Sequence, residues 1–298
     1  PEQKSNPMTK EAIRFYNING DIVPADQAAL HVHDLSILRG FALFDYFLFE
    51  ARHPYFFEDY LDRFERSAQN MGIALPLSRQ ALKTRIFQLI QLNEHDRGAI
   101  RLVLTGGYSD DGYTPAETPN LLILQHFAPQ YAPEVTQKGI RLLLEKYVRI
   151  FPEIKTTNYI AGIRRLKEQK AKKATDLLLH DGTFIAETTR ANFFIVTPDQ
   201  TIVTPDTGIL PGITRKQILN IAPRFFKLEL RPIRLEELQT ASEAFISSST
   251  KGAHPVVQID DLPIGDGRPG PVFGVIADQL NKLKSTYIQN AVAKTKSH

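Results

Sequence analysis

The stretch IKTTNY (154–159) decides the fold, together with three later segments: DGTFIAETTRANFF (181–194), LPGITR (210–215) and ISSSTKGAHPV (246–256). Lys155 lies in the first of them, beside hydroxyl and aromatic residues. An amine in such surroundings can lose its proton and attack a carbonyl group. Because a lone lysine is usually a surface residue, its meaning depends on the other three segments.

Two of the later segments carry polar chemistry of their own. Glu187 follows a turn at Asp181-Gly182, and taken alone it would be an exposed glutamate after a hairpin. Gly212-Ile213-Thr214 leads into a predicted helix. The free backbone N–H groups and the dipole at a helix N-terminus favour an anion such as phosphate.

The order and spacing of the four segments resemble those of fold type IV pyridoxal-5'-phosphate (PLP) enzymes, also called class IV aminotransferases. That family includes D-amino-acid aminotransferases, branched-chain aminotransferases and aminodeoxychorismate lyases. The resemblance extends from about Ile13 to Leu283. It implies a two-domain fold of mixed α+β and α/β character, and a homodimer with the active site at the subunit interface.

The resemblance also implies a role for each candidate site residue. Lys155 matches the lysine that forms the internal aldimine, a Schiff base, with PLP. Glu187 matches the acid whose charge keeps the pyridine nitrogen protonated. Phosphate binding is implied for Arg63, because a guanidinium can donate to two phosphate oxygens. It is also implied for the helix start at Ile213 and Thr214, and for the hydroxyl groups of Ser249 and Thr250. Tyr159 is implied as a partner of the phenolate oxygen, and Asn192 as a structural asparagine.

Composition argues against several other classes of function. The chain has 298 residues and a net charge of +3, and its basic residues are spread along its length, which argues against nucleic-acid binding. With no cysteine, disulfides and thiolate metal sites are excluded. No metal site is predicted, because His31 and His33 lack a partner cluster. The sequence has neither a signal-peptide core nor a run of about 18 apolar residues, so we expect a cytoplasmic protein without membrane contact.

The chain is predicted to form two domains. Ala128–Pro133 concentrates proline and alanine, which places a linker at 128–135 between a smaller α+β domain (1–127) and a larger cofactor-binding domain (136–298). The polar residues before Ile13 are either native or left from an expression tag. Turn residues predict a hairpin at Ile13–Val23. Strands are predicted at Phe41–Phe49, Tyr55–Phe57, Ala99–Leu104, Asn120–Gln125, Ile140–Tyr147, Asp176–His180, Asn192–Val196, Ile202–Thr204 and Ala244–Ser248. Helices are predicted at Glu58–Met71, Ser78–Leu92, Asn158–Lys173, Thr214–Ala222, Leu235–Thr240 and Val272–Lys284.

Substrate recognition departs from the pattern of each subfamily. D-alanine-type enzymes carry an Arg-X-His carboxylate trap after the strand at 99–104, where this chain has Asp111-Gly112-Tyr113. The lyases commonly have Arg-Gly-Tyr there, so the arginine is again absent. Branched-chain enzymes have Tyr-X-Arg on the strand, of which Arg101 remains, because Ala99 replaces the tyrosine. Gly40-Phe41-Ala42 stands where the family usually has Gly-Asp-Gly.

A substrate carboxylate still needs a cationic partner, because burying an unpaired charge is costly. Three arginines are placed to supply one. Arg101 lies on the strand that lines the family's substrate pocket, Arg39 precedes a strand whose equivalent reaches the neighbouring subunit's site, and Arg190 follows Glu187. Arg39 could instead cap a turn, and Arg190 could tune Glu187.

These features predict a PLP-dependent transaminase that moves an amino group between a D-amino acid, such as D-glutamate or D-alanine, and a 2-oxo acid by a ping-pong mechanism. D-amino acids are favoured because neither the branched-chain nor the lyase pattern is complete. The alternatives are a branched-chain L-amino-acid transaminase, an aminodeoxychorismate lyase and an inert interaction protein with the same fold. The presence of Lys155, Glu187 and Arg63 together argues against the inert protein.

Overall fold

The computed structural model describes residues 12–131 and 133–296. The polar residues 1–11 of the predicted start lie outside the described residues, as does residue 132 of the predicted linker. None of the helices in the described ranges is long and apolar enough to span a membrane.

The first half of the chain builds a six-stranded sheet with helices on one face. Its elements are β1 (Phe15–Ile18), β2 (Asp21–Pro24), α1 (Leu35–Leu38), β3 (Ala42–Glu50), β4 (His53–Pro54), α2 (Phe57–Asn70), α3 (Arg79–Asn93), β5 (Arg97–Thr105) and β6 (Leu121–His126). The strand order is β2-β1-β6-β5-β3-β4. Asn19 and Gly20 both have positive φ, as a tight turn between β1 and β2 requires, and the predicted hairpin is confirmed.

Alternation along the central strands gives this sheet two different faces. Phe47, Ile100 and Ile123 point to a core that also contains the buried sides of α2 and α3. The intervening positions, such as Tyr46 and Arg101, lie on the opposite face, because side chains alternate along a strand. That second face is turned toward the cavity described below.

The second half builds a ten-stranded sheet. Its elements are α4 (Pro133–Lys138), β7 (Ile140–Lys146), α5 (Ile160–Arg164), α6 (Leu166–Ala171), β8 (Asp176–His180), β9 (Phe184–Thr188), β10 (Asn192–Val196), β11 (Ile202–Thr204), α7 (Ile213–Ile221), β12 (Leu228–Leu230), β13 (Ile233–Arg234), β14 (Glu243–Ser248), β15 (Gly252–Ile259), β16 (Leu262–Pro263) and α8 (Pro271–Lys296), with 3-10 turns at Ala222–Arg224 and Leu235–Gln239. The strand order is β12-β11-β10-β14-β15-β7-β8-β9-β13. Because Asn192 of β10 also pairs with Glu187 of β9, six of these strands close into a ring.

Short backbone contacts join β3 of the first sheet to the segment that carries Lys155. The amide of Phe44 donates to the Lys155 carbonyl at 2.8 Å, and the amide of Thr157 donates to the Ala42 carbonyl at 3.1 Å. Leu43 and Thr156 form an isolated antiparallel bridge between these bonds. The lysine of IKTTNY is therefore held against the start of β3.

Several predicted elements differ from the structure. The predicted strand at Tyr55–Phe57 is wrong, since Phe56 adopts a left-handed conformation (φ 47°) and α2 begins at Phe57. The predicted helix Asn158–Lys173 is interrupted at Arg165, which ends α5 and precedes α6. The predicted helix Leu235–Thr240 is a 3-10 turn. The segment at 128–135 includes the start of α4, and the domain boundaries stay a prediction.

Candidate active site

Residues from both sheets line a cavity of about 740 Å³. All the predicted cofactor residues line it, and so do two of the three predicted substrate arginines; they are Arg63, Lys155, Tyr159, Glu187, Ile213, Thr214, Ser249, Thr250, Arg101 and Arg190. Arg39 does not line the cavity of its own chain. The predicted groups, far apart in sequence, are thus brought to one place.

The half-buried Lys155 side chain lies among aromatic rings. Its Nζ is 4.7 Å from the centroid of the Phe44 ring and 3.4 Å from the Tyr159 hydroxyl, to which it donates. The Phe44 and Tyr159 rings contact each other, with centroids 5.7 Å apart. These contacts and the backbone bonds to β3 together restrict where the amine can lie.

Glu187 is a buried carboxylate with three hydrogen-bond donors. Its Oε1 accepts from Arg149 Nη1 at 2.6 Å and from the Leu210 amide at 3.1 Å, and its Oε2 accepts from Asn192 Nδ2 at 3.0 Å. Burial raises the pKa of Glu187, while the charge and hydrogen bonds of Arg149 act in the opposite direction. The charge of this acid therefore depends on its cationic neighbour.

Arg149 is a site residue that the sequence reasoning missed. Besides Glu187, its guanidinium donates to the carbonyl oxygens of Pro152 at 3.0 Å and Ile154 at 2.7 Å. It therefore connects the acid to the segment that carries Lys155. The available signal was indirect, since a buried carboxylate needs a cationic partner but no motif says which arginine supplies it.

Asn192 and Gly212 determine how the start of α7 approaches Glu187. Asn192 Nδ2 also donates to the Leu210 carbonyl at 2.8 Å. A Cβ at Gly212 would lie 1.9 Å from Asn192 Oδ1, so only glycine fits there without displacing the asparagine. Gly212 is the N-cap of α7 and provides no side-chain cap, which leaves the first N–H groups of the helix available to an anion.

Arg63 pairs with a carboxylate of its own chain. Its Nε donates to Asp45 Oδ2 at 2.9 Å and its Nη2 to Asp45 Oδ1 at 2.6 Å, while the predicted phosphate contact stays a prediction. Both side chains are buried, and Nη1 donates to the Pro211 carbonyl at 3.3 Å. Burial favours this pair, since an unpaired guanidinium would be costly there.

The predicted hydroxyl donors, Ser249 and Thr250, lie in the turn between β14 and β15. Ser249 Oγ accepts from the Tyr60 hydroxyl at 2.6 Å, and Thr250 Oγ1 accepts from the Tyr131 hydroxyl at 3.2 Å. Ser247 Oγ also borders the cavity, is buried, and has no hydrogen-bond partner in the described part of the chain. An acceptor or donor in the cavity would satisfy it.

The three predicted substrate arginines have different surroundings. The Arg101 guanidinium lies between the Phe44 and Tyr46 rings, 5.2 and 5.3 Å from their centroids, and has no hydrogen-bond partner within residues 12–131 and 133–296. Arg190 Nε contacts Asp176 at 3.4 Å. Arg39 is exposed and donates to the Leu38 carbonyl. Among the cavity arginines of the described ranges, Arg101 is thus the one whose guanidinium makes no hydrogen bond or ion pair.

The loop at 106–119 is organised around Asp111. Its carboxylate accepts from the amides of Tyr113 and Thr114 and from the hydroxyls of Ser109 and Thr114. These donors hold the pKa of the Asp111 carboxyl well below its usual range. Asp111 therefore stabilises its own loop.

Comparison with known proteins finds one family model and relatives named as aminotransferases. The model of the family described as amino-transferase class IV matches residues 42–259. A D-alanine aminotransferase of Bacillus licheniformis is 26% identical over 92% of this chain and 95% of its own length. The branched-chain-amino-acid aminotransferase-like protein 2 of Arabidopsis thaliana is 28% identical over 94% of this chain and 52% of its own.

A solved structure shows the same fold. The branched-chain amino acid aminotransferase of T.th., complexed with N-(5'-phosphopyridoxyl)-L-glutamate, has a TM-score of 0.83 and 23% identity, covering 92% of this chain and 94% of that one. The predicted two-domain fold of mixed α+β and α/β character, that of fold type IV enzymes, is confirmed by this likeness.

We expect Arg149→Met to destabilise the protein in a pH-dependent way. Without the cation, the pKa of buried Glu187 should rise further, so that the folded protein holds a proton that the unfolded chain releases. The free energy of unfolding should therefore fall as pH rises from about 5 to 8, with a loss of about 3–5 kcal/mol at pH 8. Urea unfolding at both pH values measures this.

Arg231→Met is the matched control, because Arg231 pairs with the partly exposed Glu229 and Glu237. Arg231→Met should lower the free energy of unfolding by about 1 kcal/mol or less at both pH values. An equal loss for Arg149→Met at pH 5 and pH 8 would contradict the role of Arg149 as the counter-charge of Glu187.

Proposed function

This chain belongs to the class IV aminotransferases, which depend on PLP, and on that basis we propose that it transfers an amino group between a D-amino acid and a 2-oxo acid. The observation that supports an amino acid and a 2-oxo acid as substrates is Arg101, a cavity guanidinium without a hydrogen-bond partner in the described residues. The preference for the D-form rests on the incomplete branched-chain and lyase patterns. Amino acids and 2-oxo acids share a carboxylate next to the reacting carbon, and a guanidinium matches its two oxygens.

The residues of the cavity fit PLP. The cofactor requires an amine, an acid for its ring nitrogen and donors for its phosphate, and the cavity offers Lys155, Glu187 and the uncapped start of α7. The unpartnered Ser247 hydroxyl and the glycine at 212 are consistent with a polar ligand lying close to the backbone. When bound, PLP supplies an electron sink that stabilises negative charge on the substrate's α-carbon.

Lys155 is the catalytic residue of this proposal. Its amine would hold the cofactor, and the same amine would carry a proton to and from the substrate's α-carbon. Phe44 and Tyr159 limit the positions that Nζ can take. The Tyr159 hydroxyl, 3.4 Å from Nζ, would donate a hydrogen bond to the phenolate oxygen of the cofactor.

Glu187 would hold a proton on the ring nitrogen through its charge. Arg149 acts as a positioning residue, since it contacts both this carboxylate and the carbonyls ahead of Lys155. Asn192 orients the second oxygen of Glu187.

Phosphate binding is assigned to the first N–H groups of α7, at Ile213 and Thr214, and to the hydroxyls of Ser249 and Thr250. Arg63 contributes positive charge rather than a bidentate contact, because Asp45 occupies its fork. Tyr60 supports this end of the site by bonding to Ser249 and by packing its ring 5.3 Å from the Arg63 guanidinium.

The substrate carboxylate is assigned to Arg101 together with Arg39 of a second protomer. A dimer is supported by apolar side chains that are exposed beside the Lys155 segment, at Ile150 (76%), Phe151 (53%), Ile160 (65%) and Ile163 (64%). Such a cluster is typical of a protein–protein contact. Arg190 is the next candidate, with Asp176 as its partner in the isolated chain.

Branched-chain L-amino-acid transamination is the second candidate, because Arg101 belongs to the branched-chain pattern and relatives of both names match this chain. The lyase has less support, since Asp111 caps its own loop and no arginine stands there.

A substrate panel tests the function. We expect holoenzyme with a 2-oxo acid acceptor to turn over D-glutamate or D-alanine faster than L-leucine, and to release no pyruvate from aminodeoxychorismate. Coupled assays for the 2-oxo acid products measure these rates. Faster turnover of L-leucine would shift the assignment to the branched-chain class.

Lys155 is tested by borohydride. We expect the purified protein to be yellow, and reduction to attach the cofactor covalently to the peptide that contains Lys155, which peptide mass spectrometry detects. Lys251 is a control, because it is another largely buried lysine, in the turn between β14 and β15, but does not line the cavity. Attachment to Lys251, or none to Lys155, would contradict the proposal.

Neutral replacement of Arg101 or Arg39 should weaken substrate use. A charged hydrogen bond contributes about 1.5–3 kcal/mol, so Arg101→Ile or Arg39→Ile should lower kcat/KM for D-substrates by about 10- to 100-fold. The absorbance of the bound cofactor should stay unchanged. If both variants keep wild-type efficiency, the carboxylate is bound elsewhere, with Arg190 as the next residue to replace.

A further inference from the structure

His126 lies on the same cavity-facing surface of the first sheet as Arg101. It is opposite Ala99 in the β5–β6 pairing, and Arg101 is two residues farther along β5. Side chains on one face that are diagonal across two strands lie about 7–8 Å apart at most, which is within reach of one small ligand group. Both residues line the 740 Å³ cavity.

The imidazole of His126 has polar atoms without partners. Neither ring nitrogen has a hydrogen-bond partner in the described ranges, and Nε2 is fully buried. Buried ring nitrogens without partners also occur at His95, His180 and His254, but none of those three lines this cavity. Leaving such a group unsatisfied is unfavourable, so a ligand atom that bonds to it gains affinity.

The groups facing His126 favour a neutral imidazole. Arg101 of β5, Tyr46 of β3 and Tyr131 of the segment after β6 surround this part of the cavity, and the Tyr46 ring is 6.0 Å from the imidazole. Burial and the Arg101 charge lower the pKa of His126. A neutral imidazole can donate one hydrogen bond without placing a second positive charge beside Arg101.

We infer that His126 is a specificity residue that donates a hydrogen bond to the substrate carboxylate bound by Arg101. This rests on the proposed function, because it adds a second donor to the proposed carboxylate site. A carboxylate offers about four lone-pair sites, and a guanidinium meets two of them, so one further donor on the neighbouring strand completes the recognition of an anion.

Two variants at one position separate hydrogen bonding from packing. His126→Leu removes the donor and keeps an apolar side chain of similar bulk, whereas His126→Gln keeps an N–H near the position of Nε2. His95→Leu is the matched control, because His95 also has an unpartnered buried nitrogen but lies outside the cavity. Circular dichroism and the thermal midpoint check that each variant is folded.

The measured quantity is binding of an inert acid to PLP-loaded enzyme. We expect His126→Leu to raise the Kd of 4-methylvalerate about 10-fold or more, by titration calorimetry, with no change for the neutral 4-methylvaleramide. His126→Gln should stay within about 3-fold of wild type, and His95→Leu should match it. With D-glutamate or D-alanine, His126→Leu should raise KM about 10-fold and change kcat less than twofold.

Two results would overturn the inference. One is an unchanged Kd for 4-methylvalerate in His126→Leu, and the other is an equal loss for the acid and the amide in both His126 variants, which marks a packing role. If His126→Leu does not fold, His126→Phe, which also removes the donor but keeps an aromatic ring, takes its place in the comparison with His126→Gln. Failure of the proposed function looks different, since wild-type enzyme would then bind PLP and the acid but transfer no amino group.

Discussion

Arg149 donates to the buried carboxylate of Glu187 and, through the same guanidinium, to the carbonyls of Pro152 and Ile154. A buried carboxylate without such a partner would be strongly unfavourable. Because a guanidinium is planar and rigid, its contacts cannot move independently. The position of the acid relative to Lys155 therefore depends on this one side chain.

The remaining charges around the cavity divide into two kinds. Arg63 and Glu187 each have a partner within the chain, Asp45 and Arg149, and these pairs hold the walls of the cavity in place. Arg101 is held instead by two aromatic rings. Rings stabilise a cation without occupying its hydrogen-bond donors, so the guanidinium remains able to bind an anion.

Most elements with clear periodicity were predictable. The strands at 176–180, 192–196 and 202–204 have the predicted bounds, and α2, α3 and α7 begin within one residue of the predicted starts. The failures have local reasons. Tyr55–Phe57 reads as an aromatic strand, but Phe56 turns the chain and Phe57 packs in the core. β15 was missed because Gly252 and Pro255 are typical of turns, although sheet pairing on both sides accommodates them.

The candidate site was predictable as a set of residues but only partly as a set of contacts. Lys155, Glu187 and the start of α7 carry their chemistry in short local patterns, and they do line one cavity. The partner of Arg63 was not foreseeable, since Asp45 lies on another element. The pairing of Arg149 with Glu187 and the position of His126 on the cavity wall were not foreseeable either, because they also depend on contacts between distant segments.

The sequence by itself determined which chemical groups are present and where short motifs place them along the chain. These groups are an amine, an acid, a helix start without a capping side chain, and several arginines. Only the tertiary structure decided which of those groups are paired internally and which remain available. Motif chemistry is local, whereas the partner of a buried charge is chosen by strand pairing and packing between segments far apart in sequence. That is why Arg63 is paired by Asp45 and Glu187 by Arg149, while Arg101 and His126 remain available on the cavity wall.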